Sequence, residues 1–190
     1  MTDMHPSPAE VVEADLPGPR IPPVPTDTPD EPLATLFAAV ARHYGAPPSL
    51  GQRLIANHPG LYRRWLAMGS ELLTAGALPA DVRELAILRV AHNTGCAYEW
   101  RSHWAAAMAA GLPAAMLEGW KMAAITEPPP DRRWQAVVAL ADALHDKATV
   151  DDPLWGQLQG QFSADAILEL LLLIGHYTTT AYALNALRAS

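Results

Sequence analysis

In the stretch GCAYEWRSH, residues 95–103, a cysteine, a glutamate and a histidine follow one another at spacings of three and four. With 3.6 residues per helical turn, Cys96, Glu99 and His103 share one face of a helix. A thiol, a carboxylate and an imidazole so placed offer thiol redox chemistry, metal ligation or proton transfer. Thr94-Gly95 reads as a break that puts Cys96 in the first turn, where free amides and the helix dipole favour a thiolate. Plain explanations exist too. A lone cysteine is commonly a small buried hydrophobe, and Glu99 with His103 would make a surface pair worth about 0.2–0.5 kcal/mol. Against these stands the rest of CAYEWRSHWAAAMAAG, which holds two Trp, one Met and six Ala. Burying a carboxylate and an imidazole on so apolar a helix is costly without a use.

His92, four residues before Cys96, extends the cluster to one that could be drawn around a metal. The spacing matches no zinc pattern, there is no CxxC or HExxH, and no metal is expected. On the last helix His176-Tyr177, with Glu169 two turns before His176, could line the same pocket from across; the alternative for His176 is a core histidine with a backbone partner. The sequence has no Gly-rich phosphate loop, GxSxG elbow or dinucleotide fingerprint.

The elements that must position these groups are helices. Apolar periodicity and Pro/Gly punctuation predict helices near 33–43, 49–57, 60–75, 80–93, 96–110, 113–123, 131–147, 151–159 and 163–188. Gly111-Leu112-Pro113 ends one helix and opens the next, and Asp131 and Ser163 stand where N-caps are wanted. No run alternates with period two between hairpin turns, so the fold class is all-α. Two helices are apolar nearly all round, at 84–91 and 167–175, which predicts that one of them enters a subunit contact.

Residues 1–32 hold nine of the 18 prolines and form an arm separate from the helical domain at 33–190. Proline removes amide donors and fixes φ, so RIPPVP (20–25) is extended chain. Residues 1–18 read as a solvated tail. Residues 19–32 read as an arm lying on the domain or on a neighbouring subunit, anchored by Ile21 and Val24.

Half of the 190 residues are apolar and the net charge is -7, which supplies a core and gives no basic footprint for nucleic acid. One cysteine cannot close an internal disulfide. The N-terminus lacks the basic start and apolar run of a signal peptide, and the apolar run 166–175 is too short for a membrane span. A cytoplasmic protein without membrane attachment is expected.

Glu84, eleven residues, Cys96, Glu99 and His103, within LPADVRELAILRVAHNTGCAYEWRSHWAAAMAAGLP (78–113), resemble the carboxymuconolactone decarboxylase family, which shares its fold with the alkylhydroperoxidase-like proteins. The likeness extends to RIPPVP, NHPGLYRRWL (57–66) and LLIGHYTTTAYALNAL (172–187). Where the alkylhydroperoxidase branch has Cys-x-x-Cys, this chain has Glu99 at the second position, as in the decarboxylase branch. The resemblance implies an all-α fold, homo-oligomers (trimers or hexamers), active sites near subunit contacts and no bound cofactor. It implies His103 as general acid/base, with Glu99 or Glu84 orienting it, and a substrate carboxylate held by Arg83, Arg89 or Arg101; His92, Arg89 and His176 are the candidate substrate-binding residues. A peroxidase cycle needs a second thiol to resolve a sulfenic acid, and this chain has none. Three functions follow: a decarboxylase-like enzyme acting on a carboxylated lactone or related acid, a peroxide reductase using Cys96 with an external thiol, or a non-catalytic oligomeric scaffold.

Overall fold

A computed structural model describes residues 18–121 and 128–189. Their regular structure is helical throughout: α1 Glu31–Tyr44, α2 Leu50–Ile55, α3 Pro59–Thr74, α4 Ala80–Asn93, α5 Ala97–Ala109, α6 Ala114–Lys121, α7 Arg132–Lys147, α8 Asp152–Gln159 and α9 Ala164–Leu187. Residues 1–17 of the tail expected over 1–18, and the last two residues of the helix expected at 113–123, lie outside the described residues.

Local sequence sets the boundaries. Asp30, His58, Asp131 and Asp151 accept amide hydrogen bonds from the first turns of α1, α3, α7 and α8, and Ser49 and Gln52 form a capping box on α2. Ser163 occupies the N-cap position of α9 without making that bond. Between α4 and α5 the chain turns through Gly95 at φ 62°, a left-handed conformation that costs glycine least. The Cys96 amide then donates to the Ala91 carbonyl at 2.8 Å, and Asn185 of α9 donates to the Thr94 carbonyl at 2.8 Å.

α4 is the axis of the molecule. It packs against α5, α7 and α9, and Val82 and Glu84 to Ala91 are all buried. α9 uses one side, including Leu170, Leu173, Ile174 and Tyr177, for the same core. Its other side leaves Leu168, Leu172 and Tyr182 46–60% exposed. The apolar run expected to be too short for a membrane span is part of this 24-residue helix, long and apolar enough by length and composition to cross one; half of its most apolar window is buried within the domain. Two glycines in or beside α3 make room for α9. A Cβ on Gly69 would stand 3.1 Å from His176 Nε2, and one on Gly76 would collide with the Glu169 carboxylate. That carboxylate accepts from the Ala77 and Leu78 amides, so Glu169 closes the α3–α4 turn instead of facing the pocket expected for it.

Residues 20–24 lie on the domain. The Arg20 amide donates to the Leu187 carbonyl, the Val24 amide to the Arg53 carbonyl, and Arg53 Nε returns a bond to the Val24 carbonyl at 2.7 Å. Val24 packs on the small cluster of Leu33, Phe37, Ala56 and Tyr62.

Arg89, expected to bind a substrate carboxylate, instead locks α4 to α7. Its Nε and Nη2 donate to both oxygens of Asp142 at 2.6 and 2.7 Å, and its guanidinium lies 5.1 Å from the Trp120 ring centroid. Replacing Asp142 with Ala leaves a buried guanidinium without its carboxylate and should cost about 1–3 kcal/mol of stability in urea unfolding. A loss below about 0.5 kcal/mol would show that the clamp is dispensable.

Candidate active site

Glu84 and His103 come from the two helices on either side of the Gly95 turn. Nineteen residues apart in sequence, they meet with His103 Nδ1 2.8 Å from Glu84 Oε2. A carboxylate only accepts, so the pair places the hydrogen on Nδ1 and leaves Nε2 as the basic nitrogen. Arg83 Nε lies 3.3 Å from the second oxygen of Glu84. On the far side of the ring, Glu99 Oε2 stands 3.5 Å from His103 Nε2, one helical turn back along α5. The imidazole is thus held between two carboxylates whose side chains are 4% and 8% exposed.

Burial lifts Glu99 above the ordinary carboxylate range, and the His103 charge opposes that only in part. A protonated Glu99 can donate to Nε2, and an ionised Glu99 can face a protonated Nε2; one proton serves both groups. Tyr177 meets the His103 ring edge-on at 5.0 Å, and its phenol is pushed well above its usual range by burial and by the two glutamates, so it stays protonated.

Glu99 and His103 open onto a cavity of about 190 Å³. The lining also includes His176, whose imidazole stacks on Trp65 at 5.6 Å; Trp65 stacks in turn on Tyr62 at 6.1 Å. Trp65 Nε1 donates to Thr180 Oγ1 at 2.8 Å, and Thr180 donates to the His176 carbonyl at 2.8 Å. Tyr98, also in the lining, accepts the Gly51 amide at 2.8 Å. A Cβ on Gly51 would approach the Tyr98 ring to 2.9 Å, so glycine there lets the phenol in.

Of the expected site residues, Glu84, Glu99 and His103 come together, and His176 lines the same cavity as Glu99 and His103. Cys96 does not join them. It is the N-cap of α5, with φ −85° and ψ 89°, so it does not follow the helical spacing that put it on the Glu99 face. Its side chain packs with Ala181 and Leu184, is 1% exposed and is absent from the cavity wall. Burial pushes the thiol up, outweighing the helix amides expected to lower it. His92 lies with Trp120 near Arg89, away from the cavity. Arg101 is exposed, and none of the described residues lining the cavity is Lys or Arg. Among the described residues no group of three His, Cys, Asp or Glu is placed to hold a metal ion. Tyr177, expected beside His176, lines the cavity as well. Trp65 and Tyr98 were missed from sequence; the one signal, toward Tyr98, was glycine at 51, inside a helix where alanine would be better by about 1 kcal/mol.

Residues 59–146 match the family model described as the carboxymuconolactone decarboxylase family. Two solved structures are similar over most of their length. One is described as an alkylhydroperoxidase AhpD core, an uncharacterized peroxidase-related protein from Ralstonia eutropha JMP134, with TM-score 0.75, 17% identity and 93% of each chain covered. The other, an uncharacterized peroxidase-related protein from Silicibacter sp. TM1040, has TM-score 0.74 and 17% identity, covering 92% of this chain and 94% of its own. At such identities the likeness establishes the fold. No curated protein sequence matches this chain significantly.

The raised Glu99 has a consequence for stability against pH. Unfolded, the group loses its proton near 4.5; folded, it holds the proton to higher pH. Its contribution is therefore fully present below the unfolded value and is lost as pH rises through the folded value. Glu99→Gln cannot ionise and escapes that loss. Urea unfolding from about pH 4 to about pH 8 should show the variant gaining on the native protein as pH rises; a constant difference would contradict the buried, uncompensated carboxyl.

Proposed function

We propose that this chain, whose residues 59–146 belong to the carboxymuconolactone decarboxylase family, is a cofactor-independent enzyme that moves a proton at a carbon beside a carbonyl. It would be a lyase or isomerase acting on a lactone or a related compound of aromatic breakdown. The observation that carries this reading is the Glu84–His103–Glu99 relay, open on one side to a cavity of about 190 Å³. Removing a proton, or a carboxyl group, from such a carbon leaves an electron pair that delocalises into the carbonyl as an enolate. The site must stabilise the oxygen and deliver a proton to carbon. His103 Nε2 takes or gives that proton, Glu84 fixes the ring, and Glu99 exchanges the proton with Nε2 between steps.

The thiol-peroxidase reading draws on the names of the two structural neighbours. It meets two obstacles in this chain: Cys96 is buried with a raised thiol, and Glu99 stands where a second sulfur would be needed. The non-catalytic reading has to leave a buried relay without a task. A simple probe of proton transfer is the double-bond shift of an unsaturated lactone such as α-angelica lactone. The native protein should accelerate it, and His103→Ala should lose about 10²–10⁴-fold while remaining folded. Equal rates in the two proteins would sink the assignment. Rapid, stoichiometric oxidation of Cys96 by a small excess of hydrogen peroxide, reversed by added thiol, would move the chain to the peroxidase reading.

We also propose that the protein is cytoplasmic and forms homo-oligomers, trimers or hexamers, through the outward side of α9, where Leu168, Leu172 and Tyr182 are exposed in a row. Sedimentation of the native protein should then give a mass three or six times that of the chain, and Leu172→Glu should lower it; a native monomer would refute the interface.

A further inference from the structure

The cavity needs a ligand whose charge it can tolerate. The lining groups that can bear charge are Glu99, the imidazoles of His103 and His176, and the phenols of Tyr44, Tyr98 and Tyr177. A protonated His103 is already matched by Glu84 on one side and faces Glu99 on the other. Arg83 lies against the Glu84 carboxylate, and Arg89 is held by Asp142. An anion entering this space would meet the Glu99 carboxyl group and, among the described lining residues, no Lys or Arg, and a buried anion without a paired cation is costly.

His176 is the polar group left over. Its ring is 9% exposed and held between Trp65 and Tyr177, and neither ring nitrogen has a hydrogen-bond partner among the described residues. Gly69, in the middle of α3, leaves the space in front of Nε2 that a Cβ would crowd at 3.1 Å. Burial keeps this imidazole below its ordinary range, so at neutral pH it is an uncharged donor and acceptor. In volume, a cavity of about 150 Å³ already accepts benzene, so the space here suits one substituted ring.

We propose that the cavity binds an uncharged, single-ring carbonyl compound, with its oxygen on the His176 imidazole and its reacting carbon toward His103. This narrows the substrate of the proton-transfer reading, on which it rests, to uncharged lactones and related carbonyl compounds and excludes carboxylated ones. Benzamide and benzoate match in shape and differ in charge, so they separate the two cases. Titrated calorimetrically into the full-length protein at neutral pH, benzamide should bind at least about tenfold more tightly than benzoate. His176→Phe keeps the stack on Trp65 and removes the nitrogens; it should weaken benzamide about tenfold. Gly69→Ala, a second variant that leaves His176 in place, should weaken benzamide in the same direction.

Benzoate binding as tightly as benzamide, no binding of either, or an undiminished affinity in both variants would each overturn the proposal. The readout is affinity, so it stands apart from the turnover test on His103. A protein that binds benzamide as described and shifts no lactone double bond would retain this site and lose the proton-transfer function.

Discussion

A carboxylate in the middle of the most buried helix is the constraint from which the rest of the structure follows. Glu84 is surrounded in α4 by residues that face the core on every side. An isolated charge there would be untenable, and one strong partner must be brought to it. That partner is His103, and bringing it requires α5 to run back alongside α4. The sharp reversal at Gly95 permits this, and the Asn185 bond to Thr94 ties the reversal to α9. The ring that satisfies Glu84 thereby acquires a fixed orientation, with its second nitrogen aimed at Glu99 and the cavity. Packing necessity and chemical readiness are the same hydrogen bond seen from two ends.

Much of this was legible in the sequence where the information was local. Helix limits followed Pro, Gly and Asp at the breaks, and α4 and α5 run within a residue or so of the expected spans. The Glu99–His103 pair needed only the helical period. The period also misled at Cys96, because a residue at an N-cap has not yet entered the helix and does not share its face. Arg89 and His92 failed for a related geometric reason. Five residues of helix turn Arg89 about 140° from Glu84, and His92, three further on, stays with Arg89, against Trp120.

The rest of the site was hidden because it depends on contacts between distant segments. Trp65 reaches Thr180 across 115 residues, and Tyr98 reaches Gly51 across 47. Helical periodicity orders residues around one axis and says nothing of which axes meet. Glu84 with His103, at 19 residues, lay between these cases: a family likeness tied them together, and spacing alone did not.

The stack of Tyr62, Trp65 and His176 gives the molecule an optical property of its own. Of the six tryptophans, only Trp65 lines the cavity, and its indole lies face to face with an imidazole. Protonated imidazole quenches indole emission more strongly than neutral imidazole does. A change in the protonation of His176 should therefore reach the emission of Trp65, superimposed on that of the other five tryptophans.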